Sequence, residues 1–150
     1  MFHVCPPEPR YSFTWDVNVL LTFLESWFPL SALELKQLTL KTATLVALVS
    51  VQRSQTLSAL STELMNSTAT GTQFVVNSLL KSSRPGKSSL IVSLPAFPEI
   101  EKLCAHSTLL HYVARTASIR QSLNSSQVFV SYGKCRGNFV CFCYKFVSVG

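Results

Sequence analysis

The sequence is short of charge. Of its 150 residues only 13% are Asp, Glu, Lys or Arg, and just seven are acidic. About a quarter is usual for a soluble domain. The apolar share of 47% excludes a disordered chain, which has too little apolar surface to offset the entropy of ordering. Long hydrophobic runs are missing too. The most apolar stretch, Thr42 to Val51, lies between Lys41 and Arg53 and falls far short of the ~20 residues that cross a bilayer. A buried helix is expected there, and no membrane partner. Met1 to Pro7 show neither the basic start nor the apolar run of a secretory signal. The expectation is an intracellular chain, nuclear or cytoplasmic and not secreted, with five reduced cysteines. Cys135, Cys141 and Cys143 have no CxxC spacing and no neighbouring histidine, so no metal site or cofactor is expected. The sequons at Asn66 and Asn124 carry no weight without secretion, and no internal repeat is visible.

What is present is a core-sized share of apolar residues in one domain's length of chain. It comes with a net charge of +6 and a pI near 9.3, a balance that favours an anionic partner such as nucleic acid. Residues 1–10 hold Pro6, Pro7 and Pro9 and read as an extended lead-in. Asp16 is placed to cap a helix over 17–28, with Val17, Leu20, Leu21 and Leu24 at helical spacing and Pro29 as its stop. Ser31 precedes Glu34 by three, a capping-box spacing. A second helix is expected from about Leu33 to Val51, burying Leu38, Thr42, Leu45, Val46 and Val49. Arg53 opens a short third helix with Leu57, Leu60 and Leu64 inward. Asn66 to Thr72 reads as a loop. Gln73 to Leu80 and Leu90 to Leu94 read as paired strands around the turn Arg84-Pro85-Gly86-Lys87, a β-hairpin with a basic tip of Lys81, Arg84 and Lys87. Helix is expected over Glu99 to Ser107 and over Leu109 to Gln121, with Leu110, Val113, Ala117 and Leu123 inward. Val128 to Val130 should form a short strand. After Lys134 the pattern fails, and residues 135–150 read as an unrelated or frame-shifted tail. The fold class is α+β, mainly helical with a small antiparallel sheet. On residue types alone, Arg53 is either a solvated helix-end arginine or a cation held to grip a phosphate.

The order helix, helix, arginine-bearing helix, basic hairpin, helix resembles the first half of the catalytic domain of tyrosine recombinases, the phage-integrase family. It is similar in particular to the recombinases of DIRS-like mobile elements. The resemblance covers residues 11–134. It is carried by LKTATLVALVSVQRSQTLSAL at 40–60, LLKSSRPGK at 79–87, LCAHSTLLHYVARTASIR at 103–120 and VFVS at 128–131. Gln52-Arg53-Ser54-Gln55-Thr56-Leu57 matches the family's first arginine box, with Thr56 where glutamate is common.

The resemblance implies DNA recombination or integration through phosphodiester cleavage and rejoining. Arg53 would be the first catalytic arginine, on the scissile phosphate, where a planar guanidinium makes two parallel charge-assisted hydrogen bonds. Lys81 would be the hairpin lysine that protonates the leaving oxygen as general acid, with Lys87 its competitor. Arg84 and Lys87 would contact the DNA backbone without reading bases. The family's second arginine box and nucleophilic tyrosine are not matched within this sequence. His111 and Arg115 have the wrong spacing, and Tyr144 stands too close to the last matching segment. The expectation is therefore a truncated recombinase-like chain, inactive in strand transfer by itself. It would bind DNA weakly through phosphates, self-associate through uncovered Leu-rich faces, and take no small-molecule substrate. The alternatives are a small basic intracellular binding module without catalytic ancestry, and an unstable relic.

Overall fold

The structure, a computed structural model, describes residues 16–77 and 89–130. The fold is α+β, with helices on one side of a three-stranded antiparallel sheet. The first helix, α1 (Val17–Ser26), starts where Asp16 Oδ1 accepts from Asn18 N at 2.9 Å, satisfying one of the donors a helix start leaves free. Its one buried residue is Leu24, which packs with Leu45 and Ala105 in a satellite core. Leu30–Ala32 form one 3₁₀ turn, so Ser31 is already inside a helical turn and does not cap. The cap sits three residues later. Glu34 precedes α2 (Leu35–Ser50), and Gln37 Oε1 accepts from Glu34 N at 3.3 Å.

In α2 the expected face is observed: Leu38, Thr42, Leu45 and Val46 are buried. Threonine is tolerated inside because its hydroxyl bonds within the helix, as Thr42 Oγ1 does to Leu38 O at 2.7 Å. Lys41 is also fully buried. Its Nζ donates to Trp27 O at 2.6 Å and ties the end of α1 to α2. The helix ends at Val51, in the left-handed conformation with φ 53° and ψ 31°. α3 (Ser54–Ser58) follows with Arg53 at its N-cap. Leu57 and Leu60 enter the core, but Leu64 does not: the helix has stopped, and Leu64 is exposed where the chain enters the sheet.

The expected loop at Asn66–Thr72 is instead a hairpin, with β1 (Met65–Thr68) paired to β2 (Gly71–Val76). Polarity suggested a loop, but threonine is a good strand former, and hydroxyl pairs such as Ser67 Oγ with Thr72 Oγ1 at 3.1 Å knit the strands together. Gly71 is required there, since a Cβ would lie 2.5 Å from Leu94 O. β2 pairs with β3 (Leu90–Pro95) antiparallel, as expected, with Val76 opposite Leu90. Thr72, Phe74, Val76, Val92 and Leu94 face the core.

Pro98–Leu103 is a kinked 3₁₀ segment leading to α4 (Ala105–Arg115) and α5 (Ala117–Leu123). The buried face differs from the expected one. Ala105, Thr108, Leu109, Tyr112, Thr116 and Arg120 are inside, while Leu110, Ala117 and Leu123 are exposed. Polar residues take the core positions because nearly all of their polar atoms find partners there. Val128 to Val130 are buried but form no strand. An isolated bridge between Ser61 and Gln127 lies beside this segment, and the Val128 amide donates to Leu60 O at 2.9 Å. Among the described residues, no helix is long and apolar enough to cross a membrane.

Candidate nucleic-acid interface

Arg53 is a well-anchored backbone carrying a free side chain. Its carbonyl accepts from the Thr56 amide at 2.9 Å and the Leu57 amide at 3.1 Å. Thr56 and Leu57 are buried, so the main chain at Arg53 is tied to the core. The side chain is exposed and makes no capping bond. Among the described residues no hydrogen bond or ion pair uses its guanidinium. That leaves all five N–H donors for an external acceptor.

The other three site residues, Lys81, Arg84 and Lys87, lie outside the described residues. The described strands place the two ends of their connection side by side, because Val76 and Leu90 are paired partners. Tyr144 likewise lies outside the described residues.

The charge distribution sharpens the whole-chain figure. The described residues hold six basic and six acidic side chains, so the net charge of +6 comes wholly from the remaining segments. Half of that excess is Lys81, Arg84 and Lys87. Lys134, Arg136 and Lys145 make up the other half. Two of the six described cations, Lys41 and Arg120, are buried, and Arg115 spends an N–H on Leu33 O at 2.6 Å. Lys36, Arg53 and Lys102 remain as exposed cations.

The two described histidines, of three in the sequence, sit in α4. His106 is buried, with Nδ1 2.9 Å from Thr72 Oγ1, and fastens α4 to β2. His111 is half-buried and its Nδ1 has no partner among the described residues. Neither lies beside Arg53 in the sequence order the resemblance requires, and their helix placement agrees with a structural role.

Two residues escaped sequence reasoning. Arg120 is 6% exposed, and its guanidinium donates to Thr116 Oγ1 at 2.8 and 2.6 Å, to Val113 O at 2.8 Å and to Val128 O at 3.4 Å. Burial pushes it below the ordinary arginine value, with Tyr112 opposing. Tyr112 is fully buried, and its Oη accepts from the Val130 amide at 3.1 Å. The signal was the series 105, 109, 112, 116, 120 at helical spacing, hidden because three of its five members carry polar atoms. Cys104 also sits at a helix start. Burial, the largest influence, pushes its thiol up, but hydrogen bonds from Ser107, Phe97 and His106 leave it below the ordinary value. It is the N-cap of α4, and its Sγ accepts from Phe97 N at 3.3 Å.

No known protein family, curated protein or solved structure matches this chain.

Proposed function

We propose that this chain is part of a tyrosine-recombinase-like catalytic domain of mobile-element origin. Its function in this form is to hold DNA through phosphate contacts. The reading rests on the sequence resemblance. The observation that supports it is the presentation of Arg53: its backbone is fixed to the core, and its exposed guanidinium has no partner among the described residues. The concentration of positive charge in the segment bearing Lys81, Arg84 and Lys87 adds to it. Arg53 grips a non-bridging phosphate oxygen pair, and the hairpin cations follow the backbone. Lys81 is the proton donor to a leaving oxygen in the intact reaction. Groups acting as a unit fail together when one is missing, so the chain by itself performs no strand transfer. Action on DNA places it in the nucleus.

The test is a titration of the full chain with duplex DNA at several salt concentrations, run beside a suicide substrate that traps covalent protein–DNA adducts. Binding should weaken with salt, with a log–log slope of about −3 to −4 for four phosphate contacts. Arg53→Ala should reduce that slope by about one. A covalent adduct would overturn the inactive assignment and return Tyr144 to consideration as nucleophile. Salt-dependent binding to RNA or an acidic protein, with none to DNA, would replace the recombinase reading with that of a basic binding module.

A further inference from the structure

The corner that delivers Arg53 is made by a residue poorly suited to it. Val51 adopts φ 53° and ψ 31°, a left-handed conformation that is a genuine outlier for a β-branched side chain. Glycine or asparagine is the usual occupant of such a helix end. Packing does not explain the valine, because its side chain is 85% exposed. Nor is the helix frayed: the Val51 amide still donates to Ala47 O at 2.9 Å. The next residue closes the corner from the other side, with Gln52 Nε2 donating to Ser50 O at 3.2 Å. The Arg53 carbonyl is then captured by the amides of Thr56 and Leu57. Strain with no packing return, two residues before an exposed cation that has no partner among the described residues, calls for a functional account.

We propose that Val51 is a positioning residue for Arg53. Its left-handed well is narrow, so the corner holds one geometry and the guanidinium leaves the α2–α3 junction in one direction. This inference rests on the phosphate-gripping reading of Arg53, and its structural half can be tested apart from it. Glycine enters the left-handed region without strain but occupies a broad range of conformations there. Asparagine tolerates the same region while keeping a Cβ.

The experiment compares full-length wild type, Val51→Gly, Val51→Asn and Arg53→Ala. Three measurements are made on each: melting temperature, hydrogen exchange of the Thr56 and Leu57 amides, and affinity for duplex DNA at fixed salt. Val51→Gly should melt a few degrees higher, exchange those two amides faster and bind DNA several-fold more weakly. Val51→Asn should also melt higher, yet keep wild-type exchange and affinity. A merely strained residue would give the melting shift and move neither of the other readouts, and unchanged amide exchange in Val51→Gly overturns the proposal. If Arg53→Ala binds DNA as wild type does, the phosphate grip fails instead, while the exchange data still decide whether Val51 holds the corner.

Discussion

Arg53, at the junction between α2 and α3, and Arg120, one turn past the junction between α4 and α5, have opposite fates. Arg53 stands at the start of a five-residue helix with its side chain in water. Arg120 lies within α5 and folds back into the core. There it binds α4 through the Val113 carbonyl, the break between the helices through Thr116, and the segment beyond α5 through the Val128 carbonyl. A buried guanidinium needs acceptors for its N–H groups, and here hydroxyl and carbonyl oxygens supply them. Lys41 is the intermediate case, fully buried with one acceptor, the Trp27 carbonyl. Burial of a cation in this fold therefore tracks the supply of uncommitted acceptors at chain breaks. Where the break is a tight left-handed corner, as at Val51, none is offered and the arginine stays outside.

The contrast breaks most sharply at Arg120. Arg120→Ala strips the guanidinium from Thr116, Val113 and Val128 and leaves a void. Unfolding in denaturant should show a loss of about 3–5 kcal/mol. Tyr112→Phe keeps the ring but removes the acceptor for the Val130 amide. It should lose about 1–2 kcal/mol in the same measurement, the penalty of one buried donor left unpaired. Lys41→Met tests the intermediate case. It keeps the apolar stem and discards the charge, so stability near neutral pH should change by no more than about 1 kcal/mol in either direction.

The pH profile is the more telling readout at Lys41. Burial lowers its proton affinity in the folded chain, against a smaller opposing pull from Glu25. Between that lowered value and the ordinary lysine value the unfolded chain binds more protons, so stability rises with pH through that window. Below it the penalty is constant and fully present. The Lys41→Met variant should lack this alkaline rise when its profile is subtracted from that of wild type. The smallest effect belongs to Arg53→Ala, whose stability should stay within about 0.5 kcal/mol of wild type while its DNA affinity falls. A large loss of stability there would mean that Arg53 is structural after all, and the two junctions would no longer differ in kind.

Much of this was legible in the sequence. Asp16 as a cap, Pro29 as a stop, the buried face of α2 and the antiparallel pairing of a strand from Gln73 with one at Leu90–Leu94 follow from local rules of capping, ring constraint and periodicity, although the described strand ends at Val76 rather than Leu80. So does the start of a helix at Arg53. The errors fall where local and tertiary signals disagree. Asn66 to Thr72 reads as a loop by polarity and is part of a hairpin by strand pairing. Leu110 and Leu123 looked buried by hydropathy and are exposed, because Tyr112, Thr116 and Arg120 occupy the core side. Val128 to Val130 are as buried as their composition suggests, but they pair with no strand among the described residues. Of the candidate site, the sequence supplied Arg53 and the three hairpin cations by resemblance. It gave no hint of the strained corner at Val51, since backbone conformation there is set by the path between two packed helices.

By itself the sequence determined the cap that starts α1, the buried face of α2 and the helix start at Arg53. Those properties depend on near neighbours along the chain. The tertiary structure alone decided which cations are available to a partner. Lys41, Arg115 and Arg120 are committed to carbonyls 14, 82 and up to 8 residues away, whereas Arg53 is not. The acceptors that claim a cation are brought together by packing, and no local pattern of residues encodes where they lie.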